Sequence, residues 1–307
     1  MTQARSTATR PSFDQIVADF LDHLQFERGL ARNTLEAYRN DMNQFGVYAG
    51  EQGFDPLEAS FEHLRSFVDT MIASGASPAT VQRRTACLRT FYRHLRLEEL
   101  IDHDPTADLR APKLPQKLPQ VLSRAEVARL ISSVSGDDPS ALRDRAMLEI
   151  LYSSGLRASE LSDLNIGDVD LEAAFVRVTG KGGKQRIVPV GGAALKAIFR
   201  YLGSGRPALA RDGQCRSLFI TKRGTKMTRQ VVYKTVIRCA AEAGLEGRAT
   251  THTLRHTFAT HMLAGGCDLR MVQEMLGHVD VSTTQIYTHL SAERLRDVFY
   301  EAHPRAA

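Results

Sequence analysis

Four separated stretches of this sequence carry side chains suited to phosphate chemistry. Gly155-Leu156-Arg157 puts an arginine at a glycine, just past a helical pattern. His252-Thr253-Leu254-Arg255-His256 opens another helix, and positions 252 and 255, three apart, share one of its faces. Leu276-Gly277-His278 follows, and nine residues later comes Tyr287, inside Ser282-Thr283-Thr284-Gln285-Ile286-Tyr287-Thr288-His289. The fourth stretch is the turn Gly180-Lys181-Gly182-Gly183-Lys184. Cutting a phosphodiester requires a nucleophile, positive charge against the developing oxyanion, and a proton for the leaving oxygen. Arginine forks bind two phosphate oxygens and stay charged at any working pH. Histidine donates hydrogen bonds or moves protons. A tyrosine among cations is drawn toward its phenolate, and a phosphotyrosine would store the bond energy for rejoining without ATP.

Each group also has a plainer use. Arg157 can close an ion pair with Glu160, and Tyr287 can bury its ring in a core. His252 and His256, four apart, resemble half a zinc site but lack the glutamate of H-E-x-x-H and a nearby acidic ligand. His256, His261 and His289 read as structural.

The elements that must position these groups follow from hydrophobic spacing. Helical patterns cover 13–26, 34–48 and 61–72, and Pro78 opens a fourth helix running to about Leu97. That fourth helix holds Arg83, Arg84, Arg89, Arg93, His94 and Arg96 and no acidic residue. It is either a solvated face with ion pairs to its neighbours or a helix laid on DNA phosphates or in a groove. Residues 109–120, with three prolines and two lysines, read as a linker. Ser123 and Glu126 form a capping box that starts the next helix. Helices are expected at 141–154, 228–243, 252–264, 269–276, 283–288 and 292–302. Alternating stretches at 174–179 and 185–190 read as a hairpin around the lysine turn, with 218–220 as a third short strand.

Composition sets the frame. At 307 residues two domains are the natural expectation: a tail over 1–10, a helical domain over 11–108, the linker, and a mixed domain over 121–307. The chain is 43% hydrophobic and 24% charged, which excludes collagen-like and wholly disordered classes. No apolar run reaches membrane-spanning length, and the N-terminus lacks the apolar core of a secretory signal. Cys87, Cys215, Cys239 and Cys267 are scattered, as expected of reduced thiols in a cytoplasmic protein. Residues 1–108 carry 11 Arg, no Lys and 16 acidic residues, so the total charge of +5 places +10 on the remainder. A basic second half suits an anionic partner, nucleic acid first.

The set Arg157, Lys181, His252, Arg255, His278 and Tyr287 resembles the catalytic signature of the tyrosine recombinases, or phage integrases. The surrounding strings look most like the Xer branch of bacteria, leaning toward its D-like member. The likeness runs from about residue 13 to the end. It implies a fold of class α plus mixed α/β: a helical, SAM-like core-binding domain, then a mainly helical catalytic domain with a small antiparallel sheet. It makes Tyr287 the nucleophile, giving a 3′-phosphotyrosyl link, and Arg157 and Arg255 the phosphate clamp. Lys181 becomes the general acid, with Lys184 as a competitor, while His252 assists proton transfer and His278 bonds the phosphate. No metal and no cofactor is implied. Arg83, Arg84, Arg89 and Arg93 become DNA contacts.

The implied setting is a dif-like site on double-stranded DNA, with a sister Xer recombinase in a heterotetramer on two duplexes. Strand exchange would pass through a Holliday junction and resolve chromosome dimers during cell division, under a DNA translocase of the FtsK type. A C-terminal helix, here 292–302, is expected to pass between neighbours. Because about ten residues precede the first helix, a cellular role is expected over that of a mobile-element integrase. The other rivals are a non-cutting DNA-binding protein and a metal-dependent nuclease, the latter needing a carboxylate cluster that no local motif supplies.

Overall fold

The computed structural model describes residues 12–110, 120–180, 183–210, 215–277 and 289–306, with side chains at 289–293 excepted. The chain divides into two compact units, Met1–Lys117 and Leu118–Ala307.

The first unit is built of α1 (Phe13–Phe26), α2 (Arg32–Gln52), α3 (Phe61–Ala73) and α4 (Pro78–Leu97). Ser12 and Ser60 cap α1 and α3 with reciprocal capping boxes, and Ser77 caps α4 just before Pro78. Gly53, in the left-handed region at φ 73°, ends α2. The apolar stripes predicted from spacing meet in one core, where Phe20, Phe45 and Phe91 are fully buried. Phe91 packs edge-on against Phe20 at 5.3 Å and Tyr92 at 5.3 Å.

The second unit is organised around α6 (Pro139–Ser154), buried on nearly every side, after α5 (Arg124–Ser132). The short α7 (Ala158–Asp163) leads to β1 (Val169–Asp170), β2 (Phe175–Thr179) and β3 (Gln185–Pro189), an antiparallel sheet in the order β1-β2-β3. Val176 pairs with Val188 and Thr179 with Gln185, so β2 and β3 form the expected hairpin around the lysine turn. The third strand is not at 218–220. That stretch makes only one isolated bridge, Ile220–Lys226, with a second, Asn165–Ser217, just before it, because its buried side chains join the core without a partner strand alongside. β1 takes the sheet edge instead.

Helices α8 (Gly192–Arg200) and α9 (Arg206–Leu209) are joined by a π turn over Tyr201–Gly205. Then come α10 (Arg229–Glu242), α11 (Thr251–Ala264), α12 (Leu269–Leu276) and α13 (His289–Ala302). The helix expected at 283–288 lies outside the described residues. α7, α8 and α9 escape a periodicity reading because each is short or interrupted.

The C-terminal helix seats on its own unit. Leu295 and Phe299 enter the main core, Ala302 lies against Gly265, and Gly192 donates its N–H to the Ala306 carbonyl. In the single chain, therefore, the helix expected to reach a neighbour is folded back onto the domain that carries it. Among the described residues, no helix is long and apolar enough to cross a membrane.

Candidate functional site

Arg157 is delivered by the break between α6 and α7. Gly155 turns at φ 58°, and a methyl group there would stand 2.4 Å from Phe258 Cδ1, so only glycine permits both the turn and the packing. Arg157 becomes the N-cap of α7, where Glu160 accepts its backbone N–H at 2.9 Å. The plainer reading of Arg157 is realised too, since its Nη1 donates to Glu160 Oε1 at 2.8 Å. The two uses coexist: the side chain stays 42% exposed, leaving donors for a ligand.

Arg255 comes from the first turns of α11, which Thr250 caps by accepting the Thr253 N–H. Leu254, Phe258 and Met262 bury the opposite face of that helix, as their spacing predicts. Arg255 Nη1 donates to the Gly155 carbonyl at 2.8 Å and Nη2 to the Leu276 carbonyl at 2.6 Å. Arg157 Nη1 reaches the same Leu276 oxygen at 3.4 Å. Two arginines from separate helices, α7 and α11, thus meet at the close of α12, where Leu276 immediately precedes Gly277-His278. Burial, aided by the Arg157 charge, lowers the Arg255 guanidinium to about 10, so it stays positive at neutral pH.

His252 stands exposed one turn before Arg255. Lys181, His278 and Tyr287 lie outside the described residues. Lys184, the competitor for the acid role, is exposed at the foot of β3. His256 is exposed as well. His261 is buried, with Nδ1 2.8 Å from the Tyr152 hydroxyl. No group of three His, Cys, Asp or Glu side chains is placed to hold a metal ion among the described residues. Burial raises the Cys87 and Cys239 thiols, the latter to about 11, which suits inert packing.

Two residues of the site escaped sequence reasoning in their full role. Glu160, 5% exposed, is the hub: besides Arg157 it takes both forks of Arg186, Nη1 to Oε1 and Nη2 to Oε2, each at 2.9 Å. Arg255 Nη1 lies 3.8 Å from its Oε2. Burial alone would raise this carboxyl, but the Arg186 fork and charge, with the Arg157 bonds, hold it below the usual carboxylate range. One carboxylate among three guanidiniums leaves a surplus of positive charge facing solvent through Arg157. The signal for Arg186 was present in the alternation of β3, where it stands in phase with the buried Val188. An arginine on an inward position needs a buried acceptor.

The four arginines of α4 divide in two. Arg83 and Arg84 both pair with the buried carboxylate of Asp41, across to α2. Arg89 is half-buried and Arg93 exposed, and neither makes an ion pair among the described residues. In the second unit α10 exposes Arg229, Tyr233 and Lys234, with no acidic partner for either cation among the described residues. Sequence reasoning had found that helix without assigning it a surface role.

Comparison with known proteins places residues 120–294 in the phage integrase family and residues 17–99 in the phage integrase N-terminal SAM-like domain. The chain is 45% identical over 292 residues to tyrosine recombinase XerD of Yersinia pestis, covering 95% of this chain and 98% of that one. It is 42% identical to tyrosine recombinase XerD of Listeria monocytogenes, over 95% of this chain and all of that one. The same fold occurs in the integrase of transposon Tn1549 in complex with transposon right-end DNA, at 20% identity, with a TM-score of 0.68 over 94% of this chain and 99% of that one. XerH recombinase bound to its difH substrate shares it as well, at 24% identity and a TM-score of 0.64, over 94% and 84%.

Proposed function

The chain belongs to the phage integrase family of tyrosine recombinases, and from that premise we propose how it cuts and rejoins DNA. It is a site-specific strand-exchange enzyme. The observation that supports this site over any other is the meeting of Arg157 and Arg255 at the Leu276 carbonyl, at the chain position that leads into His278 and Tyr287.

In the proposed step, the Tyr287 oxygen forms a bond to the scissile phosphorus while the bond to the 5′ oxygen breaks. The departing 5′ oxygen keeps the electron pair and takes a proton from Lys181. The tyrosine proton leaves toward His252 or solvent. Arg157 and Arg255 bind the non-bridging oxygens, whose charge grows in the transition state, and His278 donates to the same phosphate. Preorganised donors of this kind contribute about 3 kcal/mol each. Reversal with a new 5′-hydroxyl rejoins the strand, so no ATP is consumed.

Arg89 and Arg93 of α4 and Arg229 and Lys234 of α10 supply unpaired cations for DNA phosphates, and Tyr233 adds an aromatic face. Arg83 and Arg84 contribute more through Asp41 than through free charge. The two units, 1–117 and 118–307, act as the core-binding and catalytic domains. The biological setting we propose is resolution of chromosome dimers in the cytoplasm at a dif-like site. There the chain works with a sister Xer recombinase as a heterotetramer on two duplexes, under a translocase of the FtsK type.

The test is a nicked duplex bearing the dif-like site, incubated in EDTA with wild type and with Tyr287→Phe. A denaturation-resistant protein–DNA band in wild type alone is the expected result. A band that persists in Tyr287→Phe would move the nucleophile elsewhere, and cleavage abolished by EDTA would favour a metal-dependent nuclease.

A further inference from the structure

We propose that Arg186 is a positioning residue for cleavage, a buried strut that sets the hairpin lysine and the arginine clamp in one register. This rests on the reading of the site given above. Arg186 is 6% exposed and spends its donors on two separate elements. Its Nη1 and Nη2 hold Glu160 on α7, and its Nε donates to the Met275 carbonyl on α12 at 2.8 Å.

Its neighbours on the backbone are the informative part. A methyl group on Gly277 would lie 3.1 Å from Arg186 Nη1, and one on Gly180 would lie 3.7 Å from the same atom. Gly180 immediately precedes Lys181, and Gly277 immediately precedes His278. One guanidinium is therefore packed beside the chain positions that lead into two of the catalytic side chains, while bound to the carboxylate that organises a third, Arg157. The hydrogen bond from the Gly180 N–H to the Lys184 carbonyl, at 2.7 Å, ties the same point to the hairpin turn.

Charge makes the same case. Without Arg186, the buried Glu160 carboxylate would have only Arg157 and Arg255 to satisfy it, and it would draw both away from a phosphate. With Arg186 in place, both Glu160 oxygens are already engaged and the clamp keeps its positive charge. A lysine cannot take this role, since an ammonium is a point donor without the planar fork that spans two carboxylate oxygens and a carbonyl.

The test uses full-length protein and two nicked dif-like duplexes, one with the natural 5′ oxygen at the scissile phosphate and one with bridging 5′ sulfur. A thiol ionises near a pKa of about 8.5, so a sulfur leaving group departs without help from a general acid. Arg186→Lys is expected to melt cooperatively and to bind DNA within about threefold of wild type, yet to lose about 100-fold in single-turnover cleavage of the oxygen substrate, the scale of a misplaced general acid. At least about tenfold of that loss should return with sulfur, as it should for Lys181→Ala.

Equal loss on both substrates, or a wild-type rate, overturns the proposal. So does loss of cooperative melting in both Arg186→Lys and Arg186→Gln, which would make Arg186 a folding residue. Failure of the underlying reading looks different: wild type then forms no adduct on either substrate, or Lys181→Ala gains nothing from sulfur.

Discussion

Arg157 and Arg255 donate to one and the same acceptor, the carbonyl oxygen of Leu276, at 3.4 and 2.6 Å. Two cations held this close repel each other, and the repulsion contributes to the lowered Arg255 guanidinium. In the proposed mechanism, a phosphate entering between them would relieve that repulsion. Replacing either arginine by alanine should reduce single-turnover cleavage by about 100- to 1000-fold, the usual effect of losing one transition-state donor. Binding to an uncut duplex should change far less. A gel-shift titration beside a cleavage time course separates the two, and parallel losses in both would make these arginines simple DNA contacts.

Glu160→Gln removes the charge that three guanidiniums share while keeping the shape. An amide presents one acceptor oxygen where Arg186 and Arg157 now use two. Breaking a buried pair from one side costs about 3–5 kcal/mol, so a drop in melting temperature of several degrees is expected, with loss of cleavage. An unchanged melting temperature would show that the hub carries little of the domain's stability.

The α4 arginines should behave as two classes. Arg93→Ala should lower the slope of log binding constant against log salt by about 1, the signature of one lost phosphate contact. Arg84→Ala, which strips one partner from the buried Asp41, should lower the stability of the first unit instead. If the two variants exchange these phenotypes, the division drawn at Asp41 is wrong.

His303 lies buried among Tyr152, Phe258 and Phe299, stacked on Phe299 at 4.8 Å, and Arg305 beside it pairs with the buried Glu149. Burial, with the nearby charges of His261, Arg305 and Arg124, pushes its imidazole down to about 3. The folded state therefore keeps it neutral while the unfolded chain takes up a proton near pH 6.5. Its contribution is whole above pH 6.5 and is lost as pH falls toward 3, approaching about 1.4 kcal/mol per pH unit. Thermal melts from pH 7 to 5 should show a shallower decline for His303→Phe than for wild type, and parallel curves would refute the assignment.

Phe299→Ala should cost about 3–5 kcal/mol, because its ring is fully buried in the main core of the second unit. Chemical denaturation would measure it. The same packing means that truncation after Leu290 removes core side chains as well as any reach toward a neighbour. A melting curve must therefore accompany such a truncation before its effect on recombination is assigned.

Much of this protein was legible from residue order alone, because the relevant forces are local. Pro78 and apolar spacing determined α1, α3 and α4 to within a residue and α2 to within four, and the alternation around Gly180–Lys184 determined the hairpin. Side-chain chemistry singled out Arg157 and Arg255, since a charged fork at a glycine break and another at a helix start are visible without coordinates. What only the tertiary structure decided is how those groups share charge. The alternation of β3 turns Arg186 inward, but nothing in local spacing says that Glu160 is buried to meet it, or that Arg83 and Arg84 are held by Asp41 from another helix. Those pairings join residues 26 to 43 positions apart, and they form because a buried charge must find a partner wherever the packed chain brings one. The same holds for the third strand misplaced at 218–220 and for the C-terminal helix folded onto its own domain. In both, the elements' apolar side chains join the core of the second unit, a packing that no local pattern specifies.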